Sequence, residues 1–185
     1  MKFHRNTLAA TVFLAAVGAS CIASAEMTKM VGGAAMYPSR NIIQNAVHSK
    51  DNTTLVAAVK AAGLVDTLQG PGPFTVFAPT NAAFAQLPAG TVDTLLKPEN
   101  KGQLTTVLTY HVVPGRLTTA DLRKAVEEGG GQATFNTVQG EPLRITEKGR
   151  AFYIFDSKGH AARITIADIL QSNGVIHVIN KVLMP

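Results

Sequence analysis

The chain has 185 residues, a formal charge of +5, 46% hydrophobic residues and no tryptophan. That length accommodates one domain with a sizeable core. Its Lys and Arg residues form no block and do not interleave with aromatics, which argues against nucleic-acid binding and leaves only weak attraction to acidic polysaccharide or membrane surfaces.

Residues 1–25 read as a secretory signal peptide of bacterial appearance. Lys2, His4 and Arg5 make a basic start, and Leu8 to Val17 is an apolar run too short to cross a bilayer and remain there. Ala23-Ser24-Ala25 has the small-x-small form of a cleavage site, so cleavage is expected after Ala25 and the protein is expected to be secreted or periplasmic. The alternatives are a short membrane anchor and lipidation at Cys21, although Gly18 stands where a lipid signal usually has a leucine-like residue. Cys21 is the only cysteine, so the cleaved chain cannot form an internal disulfide. No later stretch is apolar over a spanning length.

Residues 26–38 are rich in Gly, Ala and Met and read as a flexible N-terminal arm. Residues 39–185 read as a single domain. Ile42, Ile43, Ala46 and Val47 have helical spacing. A clearer helix follows, with Leu55, Val59 and Ala62 as its stripe, Asp51 to Thr53 as cap candidates and Gly63 at its end. Leu64 to Leu68 adds a short turn, and Gly70-Pro71-Gly72-Pro73 stops the helical region.

Phe74 to Ala78 is bulky on both faces and predicts a central, buried strand. Pro79 ends it, and Thr80 or Asn81 caps the short helix carrying Phe84. Val92, Leu95 and Leu96 suggest one more turn. Leu104, Val107, Leu108 and His111 then fall at i, i+3, i+4 and i+7, the stripe of a packed helix. Pro114-Gly115 turns the chain. Thr118 or Thr119 opens a helix that ends at Gly129-Gly130-Gly131.

From Gln132 the period becomes alternating. Ala133–Val138, Pro142–Thr146, Ala151–Phe155, Arg163–Ala167 and Val175–Val182 read as strands. Helices first and strands later give an α+β class and not alternating βαβ units.

Catalytic patterns are missing from the sequence. It has no Gly-x-Ser-x-Gly elbow and no phosphate-cradling glycine loop. His48, His111, His160 and His177 do not sit at metal-ligand spacing. Glu127 and Glu128 read as a solvated helix end, with paired-carboxylate catalysis as the remote alternative. The expectation is therefore no enzyme, no metal and no cofactor.

Three segments carry most of the remaining information. They are Phe74-Thr75-Val76-Phe77-Ala78-Pro79-Thr80-Asn81-Ala82-Ala83-Phe84, Tyr110-His111-Val112-Val113-Pro114-Gly115, and Ser172-Asn173-Gly174-Val175-Ile176-His177-Val178-Ile179-Asn180-Lys181-Val182-Leu183. In this order and separation they resemble the two signature boxes and the central Tyr-His motif of the fasciclin family, over about Asn41 to Pro185. The resemblance implies a wedge-shaped β-sandwich of two small sheets with several helices along one side. It also implies an adhesion or extracellular-matrix-type interaction domain whose partner is a protein or polysaccharide on a cell, matrix or host surface. A small-molecule or lipid-binding module of the cell envelope is the alternative.

Phe74, Val76, Thr80, Asn81, His111, Asn173, Gly174, Ile176 and His177 are the expected structural residues, with Phe74, Val76 and Ile176 in one core. His111 reads as a hydrogen-bonded core residue whose partner lies near Thr80-Asn81, or as a ligand contact. In family members the Tyr-His region has been linked to integrin adhesion, and an Asp-Ile pair before the second box to integrin recognition. By that resemblance Tyr110, Arg116, Asp168 and Ile169 are the candidate partner-binding residues. The competing reading has Asp168 satisfying a turn and Ile169 filling the core.

Overall fold

A computed structural model describes residues 28–185. The expected signal peptide, its expected cleavage site and Cys21 lie outside the described residues. In chain order the elements are β1 (Lys29–Val31), β2 (Ala34–Met36), α1 (Ile42–Ala46), α2 (Thr53–Ala62), α3 (Val65–Gln69), β3 (Phe74–Pro79), α4 (Asn81–Phe84), α5 (Thr91–Leu95) and α6 (Lys101–Tyr110). After these come β4 (Val112–Pro114), α7 (Thr119–Glu128), β5 (Gln132–Asn136), β6 (Pro142–Lys148), β7 (Ala151–Phe155), β8 (Ala161–Gln171) and β9 (Gly174–Ile179).

The two boxes recognised in the sequence are β3 and β9, and they lie side by side. They pair in parallel, residue for residue, from Phe74 against Gly174 to Pro79 against Ile179. At position 174 a Cβ would stand 2.0 Å from the Phe74 carbonyl oxygen, so only glycine lets the strands meet. Around this pair the sheet runs β4-β3-β9-β8-β7-β6-β5. Long β8 belongs to two ladders. Its start pairs with β7 and its later part with β9, with register shifts between Ile164 and Ile166 and between Ile166 and Ile169. The sheet folds over at those shifts, as bulges allow. Its far ends meet, since the Val138 N–H donates to the Val112 carbonyl at 2.8 Å. The two small sheets expected from the family are thus the two halves of one folded ladder.

Folding the sheet makes two cores. Phe77, Tyr110, Leu122, Leu143, Ile145, Ile154 and Ile179 pack between the halves and under α7. Val76, Ala78, Ile176 and Val178 face the opposite way, against Leu55, Val59, Leu104 and Leu108 of α2 and α6. This is why the β3 run is apolar on both faces. Phe74 joins the second core only as a half-buried neighbour, whereas the fully buried ring of β3 is Phe77. Phe74 opens the strand, where its side chain reaches the rim.

Two further expectations need correction. Residues 26–38 were expected to form a flexible arm, but β1 and β2 pair as an antiparallel hairpin with Val31 and Met36 buried. Gly32 and Gly33, at φ 56° and 76°, make its two-residue turn. Lys29 Nζ ties the hairpin to the Ala167 carbonyl at 2.6 Å. The Ala and Met residues of these strands have weak β-propensity, which hid them. The second correction concerns the strand expected over Arg163–Ala167. It starts at Ala161 and continues through Asp168 and Ile169 to Gln171.

Candidate functional site

His111 sits where α6 ends and β4 begins. Leu104, Val107 and Leu108 bury one side of α6 and carry Tyr110 and His111 inward with them. The Leu183 N–H donates to His111 Nε2 at 2.9 Å, and Nδ1 lies 2.8 Å from the Val107 carbonyl. An accepting Nε2 requires the proton on Nδ1, so the ring is neutral and donates to Val107. Burial agrees, lowering its pKa from 6.5 to about 4 against smaller opposing effects of the Val107 carbonyl and Asp156. Thr80-Asn81 is not its partner. The His111 ring instead holds the backbone near the C-terminal end of the chain.

His177 is arranged the other way round. Its Nδ1 accepts the Asp168 N–H at 3.2 Å, and Nε2 lies 2.7 Å from the Leu117 carbonyl, so Nε2 carries the proton. Burial depresses its pKa too, the Leu117 carbonyl opposing. The ring stacks on Phe77 at 5.7 Å between centroids. Asp168 has φ 53°, the left-handed region that a non-glycine residue rarely adopts. That conformation points its N–H at His177 and its carboxylate at α7. Oδ1 accepts the Thr119 N–H at 2.7 Å and Oδ2 accepts the Thr119 hydroxyl. Thr118 completes the cap through a capping box with Asp121.

The four candidate contact residues do not assemble a contact surface. Ile169 is 1% exposed and packs in the helix-side core. The bulge beside Asp168 switches the strand's facing and turns this side chain inward. Tyr110 is 0% exposed; its hydroxyl donates to the Pro142 carbonyl at 3.2 Å and accepts the Ser157 N–H at 2.9 Å. Asp168 is half-buried and spent on Thr119. Arg116 alone is exposed, and its guanidinium donates to the Gln171 carbonyl at 2.8 Å.

The other signature residues are ties between segments. Asn173 accepts the Ile42 N–H at 3.1 Å and donates to the carbonyls of Leu68 at 2.8 Å and Gly70 at 3.0 Å. Thr80 caps α4 through the Ala83 N–H. Asn81 reaches further. Its Oδ1 takes the Thr54 N–H at 3.0 Å, capping α2 from a distant segment, and its Nδ2 donates to the Lys50 carbonyl. Residue 52, the local cap position of α2, makes no cap bond and donates instead to the Pro79 carbonyl.

Sequence reasoning missed two polar centres. Asp156 has a fully buried carboxylate that accepts the N–H groups of Lys158, His160 and Met184 and meets His160 Nδ1 at 3.0 Å. The Asp-Ser-Lys-Gly turn was its available signal. Buried Asn45 bonds both backbone groups of Tyr37 and the side chain of buried Gln171. No sequence pattern pairs those two.

Between α1, α2 and the sheet lies an apolar cavity of about 50 Å³, lined among others by Ile43, Val59, Leu68, Val76 and His111. A neighbouring one near Met36 and Ile176 is about 30 Å³. Both are well below the ~150 Å³ that holds benzene in an engineered core. Among the described residues no cluster of three metal-ligating side chains occurs.

A family model for the fasciclin domain matches residues 50–185. Protein sll1483 of Synechocystis is 44% identical over 177 residues, covering 92% of this chain and 90% of that protein. Immunogenic protein MPB70 of Mycobacterium bovis is 33% identical, with 98% of this chain and 97% of the relative covered. A solved FAS1 domain pair from the insect cell adhesion molecule fasciclin I superposes with a TM-score of 0.71 at 19% identity, over 80% of this chain and 52% of that one.

Proposed function

This chain belongs to the fasciclin domain family, and from that premise we propose that it is an exported interaction domain. It binds a protein or polysaccharide on a cell, matrix or host surface and works by surface complementarity, without catalysis. The observation that carries this reading is the inward commitment of its signature side chains. Tyr110, His111, His177, Asn173 and Asn81 all spend their polar atoms on backbone groups. A site for chemistry needs groups left available to a substrate. The signature is therefore scaffold, and the contact lies on surfaces outside it. The adhesion role of the insect relative supports the same kind of function. The small-ligand alternative would need the helix-side cavities to open, since pockets for such ligands run to about 300–1,000 Å³.

The test is attachment of the purified exported protein to the producer's envelope and to host surface extracts. Saturable binding that survives washing is expected. Absence of binding to every surface, with turnover of a small molecule instead, would reject the reading. Mass spectrometry of the exported protein should find its N-terminus at Glu26; a lipid-modified Cys21 would place it on a membrane instead.

A further inference from the structure

The sheet comes apart where β8 changes partner. β7 pairs with β8 only over Tyr153–Phe155 against Ala161–Arg163, and beyond Arg163 the strand turns to β9. The diverging strands and the start of α7 enclose an open cleft of about 290 Å³. Three guanidinium side chains line it, Arg123, Arg150 and Arg163, together with Thr119, Thr165 and Asp168.

These groups are not equally engaged. Arg123 is held by Glu147 in a two-pronged pair at 2.8–3.1 Å and lies over the Phe152 ring. The Asp168 carboxylate already accepts two bonds from Thr119. Arg150 and Arg163 are exposed, and among the described residues neither has a carboxylate within 4.0 Å. The cleft thus presents two guanidinium forks that lack an anion, beside a third that is fixed in place.

We propose that this cleft binds the carboxylate or sulfate groups of an acidic polysaccharide. The proposal rests on the interaction reading above and gives that partner a chemical class. A guanidinium fork matches the geometry of a planar carboxylate or a sulfate face and holds its charge at any pH the protein meets. Arg150 comes from the turn before β7 and Arg163 from β8, so two separate elements each supply a cation to the cleft. Phe152 is buried beneath Arg123, so this cleft offers no open aromatic face on which a base could stack. That favours a glycan over single-stranded nucleic acid.

The test uses the whole exported protein with heparin, polygalacturonate, neutral dextran and duplex DNA as probes. Heparin supplies sulfate and carboxylate, polygalacturonate only carboxylate, so the pair identifies the group that is read. Wild type should bind at least one of them and not dextran, with affinity falling as salt rises. Arg150→Gln with Arg163→Gln should weaken that binding at least tenfold at an unchanged melting temperature. Lys60→Gln with Lys101→Gln removes the same charge from α2 and α6 and should weaken it less than twofold. Equal losses in the two double variants, or equal binding of duplex DNA, would reduce the effect to net charge and overturn the proposal. Firm attachment to envelope surfaces without binding to either polyanion would overturn the cleft alone. Attachment to nothing would overturn the interaction reading itself.

Discussion

His111 and His177 are both buried, both neutral and both bonded only to backbone, yet they hold their protons on opposite nitrogens. His111 joins the end of α6 to Leu183, one joint between a helix and a late segment of the chain. His177 stands in the middle of the sheet. Its bond to Asp168 stabilises a left-handed residue, that residue's carboxylate caps α7, and its ring covers Phe77. The same side chain is thus a clasp in one place and the base of a chain of dependent contacts in the other. How much a buried histidine matters is set by how many further contacts assume its position.

Acid should expose what the two sites share. Each histidine has a depressed pKa when folded, so its contribution is fully present above about pH 6.5 and is lost as pH falls through that range. For His111, with a folded value of about 4, the loss is on the order of 3 kcal/mol between pH 6.5 and pH 4. His177 adds a loss of the same sign. Urea titrations across this range should show the drop, and His111→Gln should flatten it. A wild-type stability that is level from pH 7 to pH 4.5 would contradict the neutral, buried state assigned to both rings.

Single substitutions separate the sites. His177→Ala strands the Asp168 N–H and the Leu117 carbonyl and leaves a void beside Phe77, at about 3–5 kcal/mol. Ile169→Ala should lose about 2–4 kcal/mol because its side chain is in the core. An unchanged melting temperature for this variant would restore it as an exposed contact residue. His111→Ala leaves one amide and one helix-end carbonyl unpaired, at about 2–3 kcal/mol. If it costs as much as His177→Ala, the distinction between clasp and base fails. Asp168→Ala, which removes a cap from α7, should cost about 1 kcal/mol. Asp168→Asn keeps an acceptor and tolerates positive φ, so the change should stay within about 0.5 kcal/mol.

The sequence disclosed elements whose causes are local. The β3 and β9 runs, the α6 stripe and the capped start at Thr118 are written in adjacent residues, and all are present in the structure. Features that depend on another segment stayed hidden. Asn81 looks like a cap for its own helix and instead caps α2. Asp168 and Ile169 look like a paired surface motif until the bulge sends one inward. Nothing near position 168 announces a left-handed backbone, because the reason for it is His177, nine residues on and on the next strand. Of the proposed cleft, Arg150 and Arg163 were visible only as scattered charge, since β8's change of partner is what brings them to one opening.

The parallel pairing of β3 with β9 also sets an order of events. These neighbours are separated by about a hundred residues of sequence, and everything from α4 to β8 must be looped out while they find each other. Loop closure on that scale precedes the contacts that reward it, which places folding toward the slow end for a domain of this size. A nascent chain carrying β3 has an apolar strand without its central neighbour until residues 174–179 are made. The middle of the sheet is therefore among the last parts to form, and an interrupted chain exposes the very strand that is best protected in the finished one.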